Sequence, residues 1–136
     1  MNDHAVRKGR RHRIVCIDNE PAVLSALRRL FRAQDVDLLT TDSPREALQW
    51  IRQDRISLLI TDQRMPELSG EDVARAVAED SPQTPVLLIT AFPDLAIFRE
   101  CARYGIRSVI GKPWDDNKLR RTVQDLLREV ERQEAL

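Results

Sequence analysis

Short, predominantly apolar runs, each cut off by a polar or turn-forming residue, constrain this chain more than any other feature. Ile14-Val15-Cys16-Ile17 stops at Asp18-Asn19-Glu20-Pro21, Ile56 to Ile60 stops at Thr61-Asp62, Val86-Leu87-Leu88-Ile89 stops at Thr90, and Ser108 to Gly111 stops at Lys112-Pro113. Runs rich in β-branched residues without polar alternation read as strands covered on both faces, and such strands belong to parallel sheets. Asp37 to Thr41 is a weaker candidate for the remaining strand. The intervening segments are amphipathic at helical spacing. Val23, Leu24, Leu27, Leu30 and Phe31 make one stripe. Ala47, Leu48 and Ile51 make the next, behind a capping box at Ser43-Pro44-Arg45-Glu46. Ser69-x-x-Asp72 caps a third helix carrying Val73 and Val77. Leu95, Ile97, Phe98, Cys101 and Ala102 suggest a fourth, stopped near Gly105, and Leu119, Val123, Leu126, Leu127 and Val130 a fifth. Strand and helix alternate throughout, which implies an α/β fold with a doubly wound five-stranded parallel sheet.

A chain of 136 residues supports one domain. Residues 1–12 are polar and basic and read as a disordered tail that includes His4 and His12 as solvated residues; 13–130 form the folded part; 131–136 are the end of the last helix or the start of a linker. With 22 basic and 22 acidic side chains the charge balance offers no nucleic-acid surface, and direct nucleic-acid binding is not expected. No apolar stretch follows the basic N-terminal residues, so neither a signal peptide nor a membrane partner is expected and the predicted location is cytoplasmic. Cys16 and Cys101 lie in apolar segments without metal or redox spacing and read as small core residues.

Four of the predicted strands end at Asp18, Asp62, Thr90 and Lys112. Ligands of open parallel sheets bind outside the carboxyl ends of the strands, so these four side chains are expected to converge. Two neighbouring carboxylates repel unless a cation lies between them, which points to a hard divalent ion such as Mg²⁺. A lysine offers positive charge to phosphate oxygens and a threonine offers a hydroxyl donor. Carboxylate, divalent ion, lysine and hydroxyl together suit phosphoryl transfer, where positioning and charge neutralisation supply most of the catalysis.

Asp18, the segment Asp62-Gln63-Arg64-Met65-Pro66 with Gly70, Thr90-Ala91 and Lys112-Pro113-Trp114 resemble, in order and separation, the signatures of response-regulator receiver domains. The Asp-Gln-Arg-Met-Pro and Lys-Pro-Trp wording is similar to receivers joined to HD-GYP or other regulatory output domains. The resemblance implies a flavodoxin-like (βα)5 fold with strand order 2-1-3-4-5, and a two-component role in which Asp62 accepts phosphoryl from a histidine kinase or phosphotransfer protein. By the same resemblance Thr90 is the switch hydroxyl and Lys112 the phosphoryl contact. Mg²⁺ (or Mn²⁺) would be held by Asp18, Asp62 and the backbone carbonyl of Arg64, with Asn19 and Glu20 as further candidates. The chain would not be an enzyme in its own right, although it assists its own phosphorylation and dephosphorylation. A downstream output domain or protein would read the fourth and fifth helices, through which a homodimer could also form.

Two positions depart from the family pattern. Asn19 stands where a second acidic residue is usual and brings an amide oxygen without charge, and Val109 stands where an aromatic residue commonly moves with the switch hydroxyl. They motivate an alternative, a pseudo-receiver that binds partners without phosphorylation. A flavodoxin-like cofactor binder or an aspartate phosphohydrolase fits the fold class but lacks supporting loops. No Gly-rich phosphate loop follows the first strand, and Arg64 occupies the position two after Asp62 where such phosphohydrolases carry a second Asp.

Overall fold

A computed structural model describes residues 12–135. The elements run β1 (His12–Ile17), α1 (Pro21–Phe31), β2 (Val36–Thr41), α2 (Pro44–Gln53), β3 (Leu58–Asp62), α3 (Gly70–Asp80), β4 (Val86–Thr90), α4 (Leu95–Arg103), β5 (Ile106–Gly111) and α5 (Asp116–Glu134). All neighbouring strands pair in parallel, in the order β2-β1-β3-β4-β5. The doubly wound sheet follows from the apolar runs, since each central strand sends alternate side chains into a different layer. Ile14, Cys16, Leu58, Ile60, Leu87 and Ile89 pack with the apolar stripes of α1 and α5. Val15, Ile17, Leu59, Val86 and Leu88 pack with α2, α3 and Cys101 of α4. Both cysteines are buried and free, and burial pushes their thiols up, Cys101 to about 11.

The helix starts show how local chemistry sets the boundaries. Ser69 and Asp72 form the full reciprocal capping box at α3, and the Ser69 backbone N–H holds the Asp72 carboxyl below its usual range. At α2 only half the expected box forms. Ser43 Oγ accepts from the Glu46 N–H, but the Glu46 carboxylate takes a hydrogen bond of 2.6 Å from the Thr41 hydroxyl instead of reaching back. The Ser43 N–H turns to Thr41 Oγ1 at 3.0 Å, so the last residue of β2 replaces the missing half of the box. Gly105, at φ 77, lets the chain turn from α4 into β5.

One predicted helix forms with part of its apolar face uncovered, and one expectation needs correction. The helix is α4, whose apolar stripe is only partly used. Cys101 is buried, whereas Leu95 is 64% and Phe98 48% exposed, with Phe92 at 62% just before the helix. The correction concerns His12, which opens β1 and is buried, not solvated in the tail; the remainder of the predicted tail lies outside the described residues. Its Nδ1 meets Ser57 Oγ at 2.9 Å and its Nε2 meets the Glu131 carboxylate at 2.8 Å, tying the start of β1 to the last turns of α5 at the end of the sheet opposite Asp62. His12→Ala should lower unfolding free energy by about 1–2 kcal/mol, because Ser57 and Glu131 both lose a partner. Denaturant titration measures this; a change within error would mean that water replaces the ring without cost.

Candidate functional site

The carboxyl edge of the sheet gathers what the sequence scatters over almost a hundred residues. β1 delivers Asp18 into the turn before α1, and there Asp18 Oδ1 accepts the Glu20 N–H at 2.8 Å, which fixes the turn. Asp62 closes β3, paired with Ile89 of β4, and its Oδ1 accepts the Gln63 N–H at 2.8 Å. Lys112 follows β5, where its own N–H donates to the Thr90 carbonyl at 2.7 Å and continues the ladder past the strand; its bond to Pro113 is cis. The Lys112 ammonium lies 2.9 Å from Asp18 Oδ2, 3.3 Å from Asp62 Oδ1 and 3.7 Å from Glu20 Oε1.

One lysine thus faces three carboxylates, and the electrostatics follow. Burial, reinforced by the charge of Asp18, pushes the Asp62 carboxyl up against the opposing pull of Lys112. Burial by itself would lower Lys112, but the hydrogen bond and charge of Asp18, joined by Asp62, outweigh it and raise the ammonium. One oxygen from each of Asp18, Glu20 and Asp62 lies within 4.8 Å of the others. An all-oxygen, triply acidic cluster matches the donor preference of a hard divalent cation and exceeds the single charge that Lys112 supplies, so these residues fit such an ion. Glu20, whose aim the sequence leaves open, is turned into this cluster and supplies the charge that Asn19 lacks.

Asp62, Asn19, Glu20, Arg64, Thr90 and Lys112 line one cavity of about 210 Å³, room for a small tetrahedral anion and several waters at ~30 Å³ each. Asp18 lies behind it, only 2% exposed, and accepts a hydrogen bond from the Lys112 ammonium. Thr90 is the expected residue whose hydroxyl is engaged elsewhere. It donates to Gln63 Oε1 at 2.6 Å and accepts from the Phe92 N–H at 3.1 Å, rather than pairing with Asp62. Gln63 was not singled out by sequence reasoning, although its place directly after the strand-ending Asp62 is a usable signal. Arg64 is exposed and its guanidinium lies over the Phe92 ring at 5.5 Å. A larger groove of about 550 Å³ opens beside the cavity between α1 and the start of α5, with Val23, Leu30 and Trp114 in its walls; it shares Lys112 but contains neither Asp62 nor Thr90.

Residues 14–124 match the response regulator receiver domain family. The chain belongs to that family. Among curated proteins, the receiver is 28% identical over 114 residues to the regulatory protein LuxO of Vibrio cholerae and 29% identical over 118 residues to the response regulator protein PilR of Pseudomonas aeruginosa. These alignments cover 84% and 87% of the receiver but 25% and 26% of the relatives, so the chain spans about a quarter of their length. Among solved structures it resembles the signal receiver domain of an HD domain-containing protein from Pseudomonas fluorescens, at TM-score 0.84 and 25% identity over 90% of this chain and 98% of that one. The receiver domain of a putative LuxO repressor from Vibrio parahaemolyticus shares the fold at TM-score 0.87 and 21% identity, over 92% and 96% of the two chains. No helix among the described residues is long and apolar enough to cross a membrane.

Proposed function

We propose that this receiver is a phosphorylation-dependent switch in which Asp62 accepts a phosphoryl group from the phosphohistidine of a histidine kinase or phosphotransfer protein. The observation that carries this reading is the Lys112 ammonium within 2.9–3.7 Å of three carboxylates, of which Asp62 faces an open cavity. An Asp62 oxygen attacks phosphorus in line, the phosphorus–nitrogen bond breaks, and the imidazole leaves and takes up a proton. Asp18, Glu20 and Asp62 would hold Mg²⁺ or Mn²⁺, which when bound neutralises phosphoryl oxygens. Lys112 stays hydrogen-bonded to Asp18 and neutralises a further oxygen. The groove beside Lys112 offers the donor protein an apolar wall at Val23, Leu30 and Trp114. Exposed Leu95 and Phe98 on α4, together with α5, offer the surface for an output domain, an output protein or a second copy. We place this signalling in the cytoplasm.

Incubation with acetyl phosphate and Mg²⁺, followed by intact-mass analysis, tests the reading. A phosphoryl-sized gain that disappears in Asp62→Asn and with chelator is the expected result; no gain, from acetyl phosphate or from a phosphorylated histidine kinase, would sink it and favour the pseudo-receiver suggested by Asn19 and Val109. In the metal-free protein, burial and the charge of Asp18 raise the Asp62 carboxyl above its ordinary value of 3.8. The same shift has a stability consequence. A carboxyl raised on folding favours the folded state at low pH and costs stability as pH climbs from 3.8 through its folded value. Asp62→Asn should therefore stabilise the metal-free protein by about 1 kcal/mol at neutral pH and by less near pH 4, as read from denaturant midpoints.

A further inference from the structure

Gln63 touches both Asp62 and Thr90. Its backbone N–H is on Asp62 Oδ1 at 2.8 Å, its side-chain oxygen holds the Thr90 hydroxyl at 2.6 Å, and its carbonyl accepts the Gly70 N–H at 2.8 Å. Only 9% of the residue is exposed. A hydroxyl has one proton to donate, and that of Thr90 is committed to Gln63. A phosphoryl group on Asp62 can therefore receive the Thr90 proton only if the bond to Gln63 breaks, which leaves a buried amide oxygen without its donor. On β5, beside the last residues of β4, Val109 offers no polar atom and no aromatic ring to share in that exchange. The restraint on Thr90 comes from the Asp62 side of the cavity.

We propose that Gln63 is a positioning residue that latches Thr90: it holds the hydroxyl away from Asp62 in the unmodified protein and sets how strongly phosphorylation must pull to move it. The proposal rests on Asp62 as phosphoacceptor. Gln63→Leu, with Gln63→Met as the closer match in shape, removes the amide oxygen and leaves the backbone contact with Asp62 in place.

Two measurements on the intact chain test it. By NMR of the unmodified protein, the Thr90 methyl shift and three-bond couplings should report one side-chain rotamer in the wild type and averaging over several in both variants. Affinity for fluoroberyllate with Mg²⁺, a stand-in for the bound phosphoryl group, should rise about tenfold in the variants, and that gain should vanish when Thr90→Ala is added. A Thr90 rotamer unchanged by either substitution overturns the latch, as does a gain that persists without the Thr90 hydroxyl. A wild type that binds no fluoroberyllate, with Thr90 released normally in the variants, has a different signature: it removes the phosphoacceptor reading and with it any role for the latch in signalling.

Discussion

Lys112→Met is expected to lower the stability of the metal-free domain by about 3 kcal/mol at neutral pH, the cost of leaving a buried charge cluster without its counter-ion. The ammonium sits 2.9 Å from Asp18, which is almost fully buried, and 3.3 Å from Asp62. Unit charges at such distances interact by ~4 kcal/mol at the effective dielectric of a protein surface, so removing the cation both forfeits attraction and exposes carboxylate repulsion. Two controls identify the cause. The deficit should shrink as pH falls and the carboxyls protonate, and Mg²⁺ should recover more stability in Lys112→Met than in the wild type. In the wild type the lysine's raised value means that its stabilisation is complete below the ordinary 10.5 and is lost only as pH rises through the folded value, so it is constant across neutral pH. A loss below about 1 kcal/mol, insensitive to Mg²⁺, would show that water already screens the cluster.

Gly70→Ala should cost about 2–3 kcal/mol and also disturb Asp62. A Cβ at position 70 would stand 2.6 Å from Leu88 Cδ1 and 2.7 Å from the Asp62 carbonyl oxygen. Leu88 is fully buried in the layer beneath α3 and has nowhere to turn. The relief must come from sliding α3 or from displacing the backbone that carries Asp62. Thermal unfolding gives the stability term, and slower phosphoryl uptake at equal Mg²⁺ gives the displacement. Stability within 0.5 kcal/mol of wild type, with unchanged uptake, would show that the helix start yields freely.

The strands were legible because a sheet covered on both faces demands apolar residues at successive positions, as in Val15, Cys16, Leu59 and Leu88. Their polar ends were legible for a related reason: Asp18, Asp62, Thr90 and Lys112 each interrupt such a run where the chain leaves the core. What sequence could not supply was direction. Leu95 and Phe98 fall on a helical stripe, but spacing does not say whether anything covers it, and among the described residues nothing does so fully. His12 was read as tail because its partners, Ser57 and Glu131, are 45 and 119 residues away. Glu46 fits a capping box by spacing, yet the Thr41 hydroxyl takes its carboxylate. Glu20 and Gln63 sit beside the strand-ending aspartates, and only the folded turns reveal that one points at Lys112 and the other at Thr90.

The pairing of Lys112 with Asp18 spans 94 residues and joins the ends of the first and last strands. Closing so large a loop costs entropy that only the assembled sheet between them repays. An intermediate without β5 would hold Asp18 and Asp62 but no Lys112 ammonium to balance them. On the proposed reading, chemical competence at Asp62 is a certificate of completed folding: a chain still lacking β5 would lack the cation that neutralises a transferred phosphoryl group.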